Sequence, residues 1–322
     1  MRNILVGLLS LGMSLAFFGN SFGQDAEYSQ FYANPLYLNP ALAGAAGSPR
    51  AILNYRNQFP TVNAFEQYAF SFDSPVSLLG GGIGIMAEQD NQGDAWNTTS
   101  FGAAYAYQLR LGDNLSIRPS LKANYVQSTL DESQLVFAVD QNGQPTASGE
   151  TFSSTSNSYM DFSAGMLIYS SAFYAGIVAD HLTEPQNGFI QGDAGVVPMK
   201  ITAHVGSVIP VGGGRNSTNT VSPNLLFQTQ GPFRQLNAGV YYNVGPIVVG
   251  GWFRYAFSNS DAFIALVGIQ QNRFRMGYSY DFTISELRDG VSGAHEVSLS
   301  YEFNVRQRTK STKWAPIDCP KF

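Results

Sequence analysis

Histidine, cysteine and glycine-rich turns are where chemistry would be sought first in this chain of 322 residues. The histidines, His181, His204 and His295, lie far apart and none has a second ligand at metal-binding spacing, so they read as loop or strand-end residues. Asp180 beside His181 has the composition of a base and its orienter. Without a serine or cysteine in a recognisable nucleophile turn, the two read as a strand-end pair. Gly82-Ile83-Gly84-Ile85-Met86-Ala87 matches the letters of a dinucleotide fingerprint, yet no βαβ unit follows, and the string reads as a small-residue strand in a wall. Gly212-Gly213-Gly214 lacks the lysine and serine or threonine of a phosphate loop and reads as a flexible turn. Asn97-Thr98-Thr99 and Asn216-Ser217-Thr218 fit the N-glycosylation acceptor pattern, which means little if the chain is bacterial. The lone cysteine, Cys319, excludes an intramolecular disulfide framework and a cysteine-clustered zinc or iron–sulfur site. It is either inert or bonds to a partner. No catalytic, cofactor-binding or metal site is expected.

The elements that would hold such residues are set by an unusual composition. Charged residues make up 13% of the chain and aromatics another 13%, with 33 glycines. The charged fraction is about half the roughly 25% of ordinary soluble domains, and disorder is excluded because a chain this poor in charge and rich in aromatics can bury a core. A formal charge of −5 offers no basic field for nucleic acid. At the start, Arg2, the apolar run Ile4 to Phe18, and Ser21 and Gly23 at −3 and −1 form a signal peptide over 1–23, which would begin the mature chain at Gln24. No later segment reaches about 18 consecutive apolar residues, so no membrane-spanning helix is expected.

The dominant period is two. From Arg273 to Phe282, Arg273, Arg275, Gly277, Ser279 and Asp281 share one face, and Phe274, Met276, Tyr278, Tyr280 and Phe282 the other, a separation that only an extended strand makes. Gln235 to Asn243, Phe101 to Leu109 and Glu296 to Asn304 repeat it. A soluble β-sandwich with one wet face would also alternate. However, the polar face carries glycine, serine, asparagine and scattered arginine and glutamate, as a lumen does, and aromatics gather toward strand ends like an interfacial girdle. Only a closed sheet spans hydrocarbon without helices.

The fold expected is therefore all-β, a transmembrane antiparallel β-barrel of about fourteen strands with an N-terminal plug-like segment. The strands fall near 51–57, 64–73, 81–88, 97–109, 115–127, 159–169, 173–181, 199–209, 221–229, 235–243, 247–257, 262–270, 273–282 and 294–304. This even count puts both termini in the periplasm. Tight turns at Gly112-Asp113-Asn114, Ser170-Ser171-Ala172, Val244-Gly245-Pro246 and Gln271-Asn272 then face the periplasm, and Ser128 to Ser158, Leu182 to Pro198 and Thr283 to Gly293 face outward. Pro210 to Thr220 is long for a periplasmic turn. Gln134 to Asp140 has the look of a short strand but is read as loop, since counting it breaks the parity.

Particular motifs resemble one family. YSQFYANPLYLNPALAG at Tyr28 to Gly44, NYRNQFP at Asn54 to Pro60, HLTEP at His181 to Pro185, LLFQTQGPFRQLNAG at Leu225 to Gly239, RFRMGYSYDFTISEL at Arg273 to Leu287, GAHEVSLSYEF at Gly293 to Phe303 and the terminal CPKF resemble the PorP/SprF family. The likeness covers essentially the whole mature chain. It implies an outer-membrane barrel of Bacteroidota associated with type IX secretion, in some members with gliding motility. Its partners would be secretion components and a secreted or surface-displayed cargo such as an adhesin, and it would carry out no chemistry.

The chain then divides into the signal peptide at 1–23, a plug or periplasmic segment at 24–49, the barrel at 50–304 and a basic tail at 305–322. In the second part Tyr28, Phe31, Tyr32, Asn34, Pro35, Tyr37, Asn39 and Pro40 alternate aromatic bulk with turn formers, a pattern that is neither strand nor helix. It reads either as a disordered leader or as a plug or partner-binding element whose aromatics are buried in the lumen. Arg273, Arg275, Asp281, Glu296 and Glu302 are the candidate lumen-facing residues. Arg306, Arg308, Lys310 and Lys313 in the tail either complement lipid phosphates or dock a periplasmic component. Three functions stay open: a secretion-associated barrel that binds protein, a passive or substrate-selective porin, and an outer-membrane hydrolase, for which no nucleophile near a histidine is visible.

Overall fold

The computed structural model describes residues 25–304 apart from 63, 113, 136–151, 153, 191–194, 213–218, 258 and 285–292. The signal-peptide and basic-tail readings, Gly213 and Gly214, and most of Gln134 to Asp140 fall outside the described residues.

Fourteen strands follow one another around a closed antiparallel sheet. They are β1 Arg50–Gln58, β2 Phe65–Val76, β3 Gly81–Gln92, β4 Trp96–Tyr107, β5 Ser116–Leu130, β6 Ser156–Tyr169, β7 Phe173–Asp180, β8 Lys200–Ser207, β9 Thr220–Gln230, β10 Phe233–Val244, β11 Ile247–Ala256, β12 Asn259–Gln271, β13 Phe274–Thr283 and β14 Ala294–Glu302. Leu109–Arg110 and Ile209–Pro210 continue β4 and β8 past single-residue interruptions at Gln108 and Val208. Each strand pairs with its sequence neighbours, most of them joined by short turns and the rest by the longer connections 131–155, 181–199 and 284–293. The circle closes where β14 meets β1, from Arg50 opposite Glu302 to Gln58 opposite Ala294. Among the described residues no helix is long and apolar enough to cross a membrane; the crossing elements are strands.

Alternation sorts the side chains. On β13, Phe274, Met276 and Tyr278 are exposed on the outer wall while Arg275, Ser279 and Asp281 are buried inside. Exposed aromatics collect near both rims, Phe65, Phe233, Phe257, Phe263 and Phe282 at one and Tyr107, Phe173, Phe274 and Tyr301 at the other, as two interfacial girdles require. Several strands run further than their apolar period. β3 continues to Gln92 and β5 to Leu130, and β6 begins at Ser156, with polar residues on both faces of these extensions. Beyond the hydrocarbon both faces are wet, so the alternation fades while the backbone ladder persists. The three longest connections, 131–155, 181–199 and 284–293, lie at one rim together with the tight turns 93–95, 231–232 and 257–258; the other rim, where Arg50 and Glu302 lie, carries short turns apart from the connection at 211–219.

Residues 25–49 lie inside the barrel, and their position corrects two expectations. The segment is partly helical: Phe31–Ala33 and Pro40–Leu42 are 3₁₀ turns, and Pro35–Leu38 is one α-helical turn. Pro35 and Pro40 each open a turn, where a missing N–H costs nothing, and the Asn39 side chain accepts from the Ala41 N–H at 2.9 Å as a cap. Nor do the two ends of the described chain, at 25 and 304, share a rim. The barrel's first and last strands do, but Asp25 lies at the opposite, long-loop rim, where its backbone N–H donates to Gln230 Oε1 at 3.0 Å. We call this segment the lumenal strap.

Candidate functional site

The strap is held at three levels, and each level is built by strands that are distant in sequence. Near the long-loop rim, β7, β8 and β9 bring together His181, Lys200 and Gln230 around Asp25. The carboxylate of Asp25 lies 2.8 Å from His181 Nε2 and 3.4 Å from Lys200 Nζ, and it accepts from Gln230 Nε2 at 3.0 Å. His181 Nδ1 faces Asp161 Oδ2 on β6 at 3.1 Å, so the imidazole links the strap to the wall on both sides. It does so from a left-handed backbone conformation, φ 56°, which a non-glycine residue adopts at a cost. Burial alone would lower the imidazole, but the Asp25 and Asp161 carboxylates raise it from 6.5 to about 10. Burial would raise Asp25 in turn, but the charges of His181 and Lys200 hold it well below the usual carboxylate range.

One step further in, β1, β11, β13 and β14 place two guanidiniums and two carboxylates around Ser29 and Gln30. Glu296 accepts the backbone N–H groups of Ser29 at 2.6 Å and Gln30 at 3.2 Å. The Ser29 hydroxyl donates to Asp281 at 2.6 Å and accepts from Arg56 at 2.7 Å and Arg254 at 2.8 Å. Arg56 bridges Asp281 at 3.0 Å and Glu296 at 3.3 Å, and Arg254 reaches Asp281 at 3.1 Å. All four wall side chains are buried. Such charges are tolerable because their numbers balance and the strap uses part of their remaining hydrogen-bonding capacity.

The lower half is aromatic, then tightly stacked backbone. Phe31 packs on Trp252 with centroids 5.0 Å apart, and Tyr32 meets Tyr174 at 5.6 Å and His204 at 6.2 Å. Asn39 donates to the Met166 carbonyl at 3.3 Å and lies 3.2 Å from His204 Nε2. At the base, Arg118 donates to the carbonyls of Ala41, at 2.8 Å, and Ala43. The Gly44 N–H donates at 2.8 Å to Asp73, which pairs with Arg50 at 2.9 Å. Gly44 has φ 67°, and a Cβ on Gly82 of β3 would fall 2.1 Å from the Ala43 carbonyl oxygen. The small-residue string at Gly82 therefore serves a close backbone approach.

The expected residues can now be placed. Tyr28, Phe31, Tyr32, Asn34, Pro35, Asn39 and Pro40 are buried and Tyr37 is half-buried, all within the lumen. Asp281 and Glu296 belong to the cluster at Ser29, and Arg275 pairs with Glu302 near the base. Arg273 differs: it occupies the turn between β12 and β13, exposed, because Asn272 adopts φ 56° and the ladder of β13 starts only at Phe274. Arg306, Arg308, Lys310 and Lys313 lie outside the described residues. Asp180 and His181 do not pair with each other. Asp180 turns to Lys122 at 3.2 Å and His181 to Asp25 and Asp161. His204 is neither loop nor strand end; it sits inside β8, buried. Arg56, Arg118, Lys200, His204 and Arg254 were not foreseen as strap contacts. For Lys200 and His204 a signal existed, since Lys200, Thr202 and His204 alternate with Ile201, Ala203 and Val205. Among the described residues no group of three or more histidine, cysteine or acidic residues is arranged to hold a metal.

A closed sheet with an apolar outer wall, two aromatic girdles and a polar lumen defines an outer-membrane-type β-barrel. The solved structure of the Ralstonia pickettii toluene transporter TbuX shares that fold, matching at TM-score 0.50 and 12% identity and covering 84% of this chain and 93% of the other. The CymD monoaromatic hydrocarbon channel matches at TM-score 0.49 and 10% identity, covering 85% of this chain and 93% of the other. No curated protein matches the sequence. The family model for the type IX secretion system membrane protein PorP/SprF matches residues 20–301, and the chain belongs to that family.

Proposed function

We propose that this protein is an outer-membrane barrel component of type IX secretion that binds a partner protein, helping to secrete or retain cargo such as an adhesin at the cell surface, in some settings for gliding. The observation that carries this reading is the filled lumen. The strap occupies the barrel from rim to rim and is fixed by ion pairs and hydrogen bonds to most of the wall, so a solute has no evident path and the faces and loops are left to act. On this reading residues 1–23 are a cleaved signal peptide, 24–49 a plug, 50–304 the wall and 305–322 a periplasmic tail. Arg306, Arg308, Lys310 and Lys313 of the tail would dock an acidic surface of the secretion apparatus. The test is affinity isolation of the tagged protein from native outer membranes, with mass spectrometry of what accompanies it. Co-purification of secretion components and a secreted protein is expected. Isolation of the barrel alone, together with swelling of proteoliposomes in sugars or amino acids, would favour a porin instead.

A further inference from the structure

The outer wall has a groove of its own, at the seam where the sheet closes. Strand pairing from β14 through β4 sets the outward side chains in rows. One row, Leu299, Leu53, Phe70, Ala87 and Phe101, is apolar throughout. Leu53, Phe70 and Phe101 stand exposed, whereas the side chain of Ala87 ends at its Cβ, and a groove of about 410 Å³ opens over it between the two phenylalanines. The next row toward the long-loop rim includes Tyr55, Tyr68, Gln89 and Thr99. Tyr55 and Tyr68 pack with ring centroids 5.1 Å apart, at the level where tyrosines meet lipid headgroups. Beyond them the groove ends in polar groups. The Tyr55 hydroxyl donates to Glu66 at 2.6 Å and accepts from Asn57 Nδ2 at 3.4 Å, and Gln89 Nε2 donates to Asn91 Oδ1 at 3.1 Å. These rows hold no lysine or arginine. His295, two strands from Glu66, lies 2.8 Å from the Tyr278 hydroxyl instead.

We infer that this groove binds a lipid with a primary-ammonium headgroup, one acyl chain lying over Ala87 between Phe70 and Phe101 and the ammonium on Glu66. Two costs of the bare wall are removed by one occupant. A gap left in a surface that faces hydrocarbon forfeits the dispersion contacts of its lining, and water does not fill an apolar gap. An acyl chain does, and the volume is that of a small-molecule site. A carboxylate at the edge of the hydrocarbon is expensive without a countercharge, and Glu66 has no cation among its row neighbours. It can accept more than the one hydrogen bond that Tyr55 gives. A headgroup ammonium supplies both the charge and the donors, whereas a headgroup carrying only negative charge would be repelled. The site lies on the opposite side of the wall from the strap and does not depend on the protein partner proposed above.

Native mass spectrometry tests this on the purified full-length protein, exchanged into detergent containing equal amounts of phosphatidylethanolamine and phosphatidylglycerol. Bound phosphatidylethanolamine should exceed bound phosphatidylglycerol a few-fold, the scale of one exposed ion pair. Ala87→Trp fills the groove and should lose most of the bound lipid. Ala103→Trp, exposed on β4 one row nearer the tight-turn rim and outside the groove, should keep the pattern of the unaltered protein. Glu66→Gln should still hold lipid but take the two kinds equally. Equal binding of both lipids by the unaltered protein, or an undiminished preference in Glu66→Gln, would overturn the headgroup assignment. Unchanged retention in Ala87→Trp would overturn the groove. Should Ala87→Trp fail to assemble, Ala87→Leu narrows the same gap and is expected to lower retention, and unchanged retention there overturns the site equally. A protein that accompanies the barrel from native membranes and is lost from Ala87→Trp, with lipid retention unaltered, would make the groove a protein contact and remove the lipid from it.

Discussion

Arg56 is the residue on which the strap cluster balances, because it alone contacts both carboxylates and the Ser29 hydroxyl. Arg56→Ala would leave Asp281 and Glu296 buried with a single guanidinium, Arg254, near them. Breaking a buried pair by removing one partner costs roughly 3–5 kcal/mol. The heat-induced mobility shift of the folded barrel in gels should therefore move to clearly lower temperature in this variant, and Arg56→Lys should recover only part of the loss, since an ammonium holds its three donors on one nitrogen and cannot span the acceptors that Arg56 reaches through two. His181 gives a second, pH-dependent handle. Its folded value, about 10, lies above its ordinary 6.5, so its contribution is complete below about 6.5 and disappears as pH rises from there through about 10. The midpoint of the mobility shift should fall across that window in the native protein, and His181→Asn should flatten this part of the profile. Equal pH profiles in the two proteins would remove His181 from the account.

At the scale of elements, the strands were legible and the strap's attachments were not. A half-buried strand has a period of two, so the Arg273 to Phe282 and Glu296 to Asn304 patterns declare themselves in the sequence. The tight turns then fix neighbour pairing and parity. What one chain cannot show is which inward side chains meet across the lumen. Ser29 and Glu296 are 267 positions apart, and only closure of the sheet makes them neighbours. Arg56 was hidden for another reason: it stands in the polar run Asn54 to Gln58, where neither face is plainly apolar. The strap was legible as something other than a strand from its aromatics and prolines, yet its helical turns are too short for a period to register. At its base the fit is close enough to predict a cost. Gly82→Val would drive a side chain into the Ala43 carbonyl, and overpacking of this kind costs about 1–3 kcal/mol. Gly93→Ala, at a turn with nothing within 4 Å of its Cβ position, pays only for its positive φ and is the control. If the two variants melt alike, strap and wall are not in contact at that point.

Over the whole molecule, the question is whether the strap is a permanent part of the core or a stopper in a pore. A barrel of this strand number has a lumen wide enough to need filling, and here the filling is supplied by the chain itself. Arg56, Arg118, Arg254 and Lys200 on the wall all find partners on the strap. Without the strap those cations would face water, which a polar lumen tolerates, while the Trp252, Tyr174 and Tyr241 side chains packed on Phe31 and Tyr32 would lose their cover. Deleting residues 25–47 should therefore yield a barrel that still assembles and runs as a folded species in gels, less heat-stable but open. In planar bilayers the intact protein is expected to show no large unitary conductance and the deletion variant to show steady, large steps with some anion preference from the uncovered arginines. Large steps from the intact protein would mean that the strap does not occlude the lumen and would return the porin reading to the front. Failure of the deletion variant to assemble, with the intact protein silent, would instead make the strap, with its buried Leu36 and Leu38, part of the folding core rather than a removable plug.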